Sequence, residues 1–212
     1  MQVDFSVAVV EDNEDRRDTL CDELEPAVRS VQGMQGPFAD VDSLVSEICT
    51  SMSAATCDHH LISNYAEFNG AEAVSRLYEN HLPAVLVTSY EQASVLEIRP
   101  YRRNIPVVMG FSDANPDALI AAWSICEEEY QGRFMPTRKP WRAMIRVDDV
   151  KDDDVFVFLP GWDSDEVIRL TKRMFPDDLQ TYLQPDFRCY TTVNKGAESN
   201  HDLYFCDFSL SR

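Results

Sequence analysis

Val7-Ala8-Val9-Val10-Glu11-Asp12 is an apolar run that stops on an acidic pair. A parallel strand buried on both faces reads as a continuous apolar run, and in open α/β sheets the residues past its carboxyl end form the ligand crevice. Two later stretches have the same form. His60-Leu61-Ile62-Ser63-Asn64-Tyr65 ends on a polar residue the size of a carboxylate and is soon followed by the turn pair Asn69-Gly70. Ala84-Val85-Leu86-Val87 ends in Thr88-Ser89.

Helical patterns separate these strands. Residues 13 to 29 place Leu20, Leu24 and Val28 at helical spacing. Residues 30 to 40 read as a loop with a short strand near Phe38, and residues 41 to 52 as a helix with Asp42 as its N-cap. Further helices are expected after Gly70, over 71 to 80, and over 91 to 98, where Pro100 ends the pattern. A fifth strand spans 106 to 109. The last helix, 116 to 130, has Asn115 as N-cap and Pro116 in its first position. Strands alternating with helices predict a parallel sheet covered on both faces.

The order acidic pair, central acceptor, hydroxyl resembles the phosphoacceptor receiver domain (CheY-like) of two-component response regulators, over about residues 3 to 130. The segments VAVVEDNEDRRDTL, HLISNY, AVLVTSY and IPVVMGFSDANPDAL carry the resemblance. It implies a flavodoxin-like, doubly wound, five-stranded parallel sheet. It also implies an aspartate at the central position and a lysine at the end of the fifth strand. This reading puts Asn64 at the first position and Met109-Gly110 at the second. An amide forms no acyl phosphate, so the expectation is a pseudo-receiver with a degenerate pocket of Glu11, Asp12, Asn64, Thr88 and Gly110. Asp58 is read as preceding the strand, at its wrong end, and Ser63 as facing the opposite side of the sheet. The spacing from Asp12 to Asn64 is long for the family, which predicts an insertion around residues 31 to 57. Glu11 and Asp12 could hold Mg2+, or be a strand-end surface that binds nothing tightly; no other cofactor is expected. Receivers commonly pair through the fourth helix, fifth strand and last helix. By resemblance, residues 91 to 130 form a candidate homodimer face with Tyr90, Tyr101, Arg102 and Arg103 as contacts.

The pattern changes after Tyr130. QGRFMPTRKP, residues 131 to 140, reads as a linker. Residues 141 to 212 follow as a small β-rich domain, with strands over 141 to 147, 155 to 159, 167 to 170, 187 to 193 and 203 to 208 and one short helix over 177 to 183. A partly open barrel is one arrangement. Arg133, Arg138, Lys139, Arg142 and Arg146 form a basic group that could bind an anion, the acidic half of the chain or an acidic partner. The run Asp148-Asp149 and Asp152-Asp153-Asp154 lacks the glycine and terminal glutamate of a calcium loop and reads as a solvated hairpin turn. His59-His60, read as neighbours on a strand, would point to opposite faces and share no metal.

The net charge of −18 disfavours nucleic acid and anionic membrane as partners. It is concentrated: residues 1 to 130 hold 7 basic against 23 acidic residues, a balance of −16, and residues 131 to 212 hold 12 against 14, a balance of −2. Six cysteines without metal-site spacing fit a reducing cytoplasm. No signal peptide and no apolar run long enough to span a bilayer is seen. The sequence thus predicts a non-enzymatic signalling or adaptor protein with a protein partner. The alternatives are a regulator whose C-terminal half binds nucleic acid, a small-ligand sensor using the strand-end pocket, and an enzyme seated in the C-terminal half.

Overall fold

The computed structural model describes residues 2–62, 64–88 and 92–211. The chain divides into two compact units, residues 1–90 with 104–133, and residues 91–103 with 134–212.

The first unit runs β1 (Val3–Val10), α1 (Glu14–Leu24), β2 (Val28–Gly33), α2 (Val41–Ser51), β3 (Ala54–Asp58), α3 (Gly70–Glu79) and β4 (Ala84–Val87). The chain then leaves for α4 (Gln92–Ile98), which belongs to the second unit, and returns as β5 (Val108–Met109) and α5 (Pro116–Tyr130). The five strands are parallel, in the order β2-β1-β3-β4-β5. That is the flavodoxin-like order, whose ligand crevice opens beside the first and third strands, where the order reverses. Val7, Val9, Ala54, Val85 and Val87 pack against Leu20 and Leu24 of α1 and Leu119, Ala122 and Trp123 of α5. Alternation turns Ala8, Val10, Cys57 and Leu86 the other way; α3 lies against β3 and β4, with α2 beside it. Side-chain oxygens of Asn13, Asp40, Asn69 and Asn115 cap α1, α2, α3 and α5.

Two sequence expectations are corrected here. The third strand is not residues 60 to 64 but Ala54-Ala55-Thr56-Cys57-Asp58. Its small side chains let neighbouring elements close on the backbone. The Trp123 indole N–H donates to the Ala55 carbonyl at 2.8 Å, and a Cβ on Gly70 would lie 1.8 Å from the Asp58 carbonyl oxygen. Alanines carry little hydrophobic signal, so the more apolar Leu61-Ile62 drew the strand assignment. Likewise the first helix does not run to residue 29. It stops at Leu24, Pro26 follows, and Val28–Gly33 pairs with β1 as β2. Residues 31 to 57 are therefore the end of β2, α2 and β3, and no insertion is needed.

The second unit contains β6 (Trp141–Lys151), β7 (Asp154–Leu159), β8 (Asp163–Thr171), the four-residue α6 (Asp177–Gln180), β9 (Arg188–Val193) and β10 (Phe205–Ser209). All pairs are antiparallel, in the order β10-β9-β6-β7-β8. β10 and β8 are the two edges of this order. One face buries Ala143, Ile145, Val147, Val155, Val157, Leu159, Ile168 and Leu170, on which Phe175, Leu179 and Phe208 pack. The aspartate-rich run forms the β6–β7 hairpin, with Lys151 opposite Asp154 and Asp152 at φ 53°, a conformation aspartate tolerates well. All six cysteines are free thiols. Among the described residues no helix is long and apolar enough to cross a membrane.

Candidate functional site at the strand ends

Val10, the last residue of β1, pairs with Cys57, and Asp58 pairs with Val87. That register sets the residue after Cys57 beside the residues after Val10. Oxygens of Glu11, Asp12 and Asp58 accordingly lie within 4.8 Å of one another. Glu11 is 4% exposed, and its Oε1 accepts the Asn13 N–H at 3.0 Å. Asp12 Oδ2 accepts the Ile62 N–H at 3.0 Å, so the chain after β3 folds back over the pair. Arg17, buried beneath them, donates to the Glu11 carbonyl at 3.1 Å. The Gly70 N–H donates to the His59 carbonyl at 3.0 Å and fixes the exit from β3.

Charge crowding follows. Burial pushes the Glu11 carboxyl up to about 7, Asp58 and Asp12 add to the rise, and the Asn13 N–H opposes it. Burial also raises Asp58; the Asp12 charge adds to this, while the His59 N–H, His60 and Arg16 act against it. Three clustered carboxylates are a donor set for a hard divalent cation, which takes oxygen ligands and would relieve the crowding of charge. Glu11, Asp12 and Asp58 thus fit Mg2+. They border a solvent-open cleft of about 520 Å³ to which Asp12, Asn13, Glu14, Arg16, Asp58, His60 and Ile62 contribute.

The remaining strand-end residues fall as follows. Thr88 is 1% exposed; its N–H donates to the Met109 carbonyl at 2.9 Å, and its Oγ1 has no hydrogen-bond partner among the described residues. Gly110 follows β5, half-buried. Asn64 is corrected: it lies in an exposed turn, not at a strand end. Asp58, set aside in the sequence reading, holds the central position. The signal that could have found it was the overlong Asp12-to-Asn64 spacing, which shortens by six residues when counted to Asp58. His59 and His60 follow β3 and are not strand neighbours; their rings sit 4.6 Å apart instead of facing opposite ways.

The first unit is an α/β sheet of five parallel strands in the flavodoxin-like order. Similar solved structures include the receiver domain of the response regulator NarL from Mycobacterium tuberculosis, 12% identical, with 58% of this chain and 97% of that chain covered, at a TM-score of 0.43. The receiver domain of an HD domain-containing protein from Pseudomonas fluorescens Pf-5 is 13% identical over 59% and 91% of the two chains, at 0.46. NtrX from Brucella abortus is 16% identical over 61% of this chain and 30% of its own, also at 0.46. No family model and no curated protein matches the chain.

The candidate interface and anion-binding residues are largely engaged within their own units. Tyr90 lies outside the described residues. Tyr101 is half-buried, and Arg102, expected on the surface, is 5% exposed and donates to Asp202 Oδ1 at 3.1 Å. Its neighbour Arg99 donates to the Asn200 carbonyl and side chain at 3.0 and 2.7 Å. The Arg103 guanidinium stacks on Phe134 and Tyr204. Arg138 is buried and donates to the Arg102 and Arg103 carbonyls at 3.2 and 2.9 Å, while the Tyr204 hydroxyl donates to the Arg138 carbonyl at 2.9 Å. These bonds hold the segment 99–103 against the loop before β10. Lys139 lies over Trp141, Arg142 bonds Ser209 and the Asp207 and Ser211 carbonyls, and Arg146 pairs with Asp186 at 3.1 Å. In the first unit Arg133 pairs with Glu128.

Proposed function

We propose that this chain is a signalling protein of response-regulator type, in which Asp58 accepts a phosphoryl group and the β-rich unit passes the signal to a protein partner. The observation that supports this reading is the placement of a third carboxylate, Asp58, at the end of β3 beside Glu11 and Asp12. The expectation of a phosphorylation-independent pseudo-receiver rested chiefly on Asn64 and loses that premise.

In the transfer step an Asp58 carboxylate oxygen attacks phosphorus, the bond from phosphorus to the donor's oxygen breaks, and the leaving group departs with that electron pair. A bound Mg2+ supplies positive charge to the phosphoryl oxygens. Glu11 and Asp12 would hold the cation, and their bonds from the Asn13 and Ile62 amides fix the chain around the two carboxylates. Thr88 Oγ1 is a buried donor without a partner among the described residues, one residue beyond the strand partner of Asp58. Forming a bond to a new oxyanion satisfies it. Four residues later α4 begins, and the segment after it is bonded to the β-rich unit through Arg99, Arg102 and Arg138. A shift at Thr88 is therefore relayed along the chain into that unit. The reading is that of a switch and not of a metabolic enzyme. Internal engagement of Arg138, Arg142 and Arg146 favours a protein partner over nucleic acid, and a cytoplasmic setting suits both the partner and the free thiols.

The test is intact-mass analysis after incubation with Mg2+ and acetyl phosphate. One phosphoryl adduct is expected, lost in Asp58→Asn and retained in Asn64→Ala. An unmodified wild-type chain sinks the reading.

A further inference from the structure

In the family that this unit resembles, a lysine at the end of the fifth strand meets the phosphoryl group. Here β5 ends in Met109 and is followed by Gly110, Phe111, Ser112 and Asp113, none of them basic. A phosphoryl group on Asp58 would bring negative charge to a site that already holds Glu11 and Asp12, and one divalent cation does not neutralise all of it.

Among the described residues Arg16 is the one Lys or Arg that borders the cleft shared by Asp12 and Asp58. It stands in the first turn of α1, and the Asn13 cap accepts its N–H at 3.0 Å, which fixes where the side chain starts. Its guanidinium lies 5.2 Å from the centre of the Phe111 ring. Phe111 comes directly after Gly110. The segment that would otherwise send a lysine into the site thus presents an aromatic face to an arginine from the opposite side. Among the described residues no ion pair engages the Arg16 guanidinium. The neighbouring Arg17 is different: it is buried, bonded to the Glu11 carbonyl and packed on Gly33. Arginine is permanently charged, and its planar fork matches phosphoryl oxygens in two-point contact.

We propose that Arg16 is the residue that contacts and neutralises the phosphoryl group on Asp58, in the role that a fifth-strand lysine would otherwise fill. This inference rests on the reading of Asp58 as the acceptor. The cation reaches the site from α1, and Phe111 orients it.

The test compares the full-length wild type with Arg16→Ala, Arg16→Lys and Asp58→Asn. Adduct formation from acetyl phosphate is followed by intact mass, and Mg2+ binding is measured by calorimetry without phosphodonor. Arg16→Ala should slow adduct formation at least about tenfold, the scale of one lost charge-assisted hydrogen bond. Arg16→Lys should recover part of the rate. Mg2+ should bind Arg16→Ala no more weakly than wild type, because a competing positive charge has gone. Adduct formation in Arg16→Ala at the wild-type rate overturns the assignment. So does loss of Mg2+ binding in that variant, which would make Arg16 a structural support of the carboxylates. A wild-type chain that takes no adduct overturns the Asp58 reading itself, and the assignment with it.

Discussion

β3 of the first unit reads Ala54-Ala55-Thr56-Cys57-Asp58, whereas β7 of the second reads Asp154-Val155-Phe156-Val157-Phe158-Leu159. β3 is the middle strand of its five-stranded sheet, and β7 is an interior strand of the other, one place from its edge. The difference follows from what covers them. β3 is enclosed on both faces, and backbone groups approach it so closely that large side chains would not fit. β7 buries Val155, Val157 and Leu159 on one face and leaves Phe156 and Phe158 half-buried on the other. The first sheet is specified by how little its central strand carries, the second by alternation of large residues.

The sharpest way to break this comparison is Gly70→Ala. A methyl 1.8 Å from the Asp58 carbonyl oxygen meets the backbone of Asp58 and His59, so α3 or β3 must move. We expect a loss of about 4 kcal/mol or more in urea unfolding, together with loss of the Mg2+ site. Ile145→Ala is the counterpart in the second sheet. It empties a fully buried position in the β core, and should cost about 2–5 kcal/mol through the cavity while leaving Mg2+ binding intact.

A smaller effect separates the units by pH. The folded pKa of Glu11, about 7, lies above its ordinary value of 4.5. Between these values the folded chain keeps a proton that the unfolded chain has lost, so this residue's contribution to stability falls as pH rises from about 4.5 to 7 and is flat above. Glu11→Gln should remove that slope and stabilise the Mg2+-free chain at pH 8, as read from thermal melts. Added Mg2+ should raise the melting temperature of wild type more than that of the variant. The smallest effect is expected for Arg146→Ala. Its partner Asp186 is exposed, and a solvated pair of this kind contributes about 0–1 kcal/mol, which fades further at high salt.

The same contrast explains what could be read in advance. The strands and hairpin of the second unit, the capped α5 and the acidic end of β1 were legible, because each rests on a local pattern of side chains. β3 was not. Its alanines resemble a linker until Trp123, 68 residues further along, is seen to bond Ala55. The Asn64 error followed from that one strand. Glu11 and Asp12 stood out because they interrupt an apolar run; Asp58 was set aside and Arg16 not singled out, because their placement depends on register and on a shared cleft. Arg102 was taken for a surface contact because nothing near it in sequence announces Asp202.

The bonds from Arg99 and Arg102 to Asn200 and Asp202 also bear on the order in which the chain is made. Each spans about a hundred residues of sequence. On the ribosome the segment 92–103 emerges about a hundred residues before the loop that holds it. The second unit therefore closes only after residues 200 to 202 have emerged, and a chain stopped at residue 133 would carry that segment with neither Asn200 nor Asp202 to receive it.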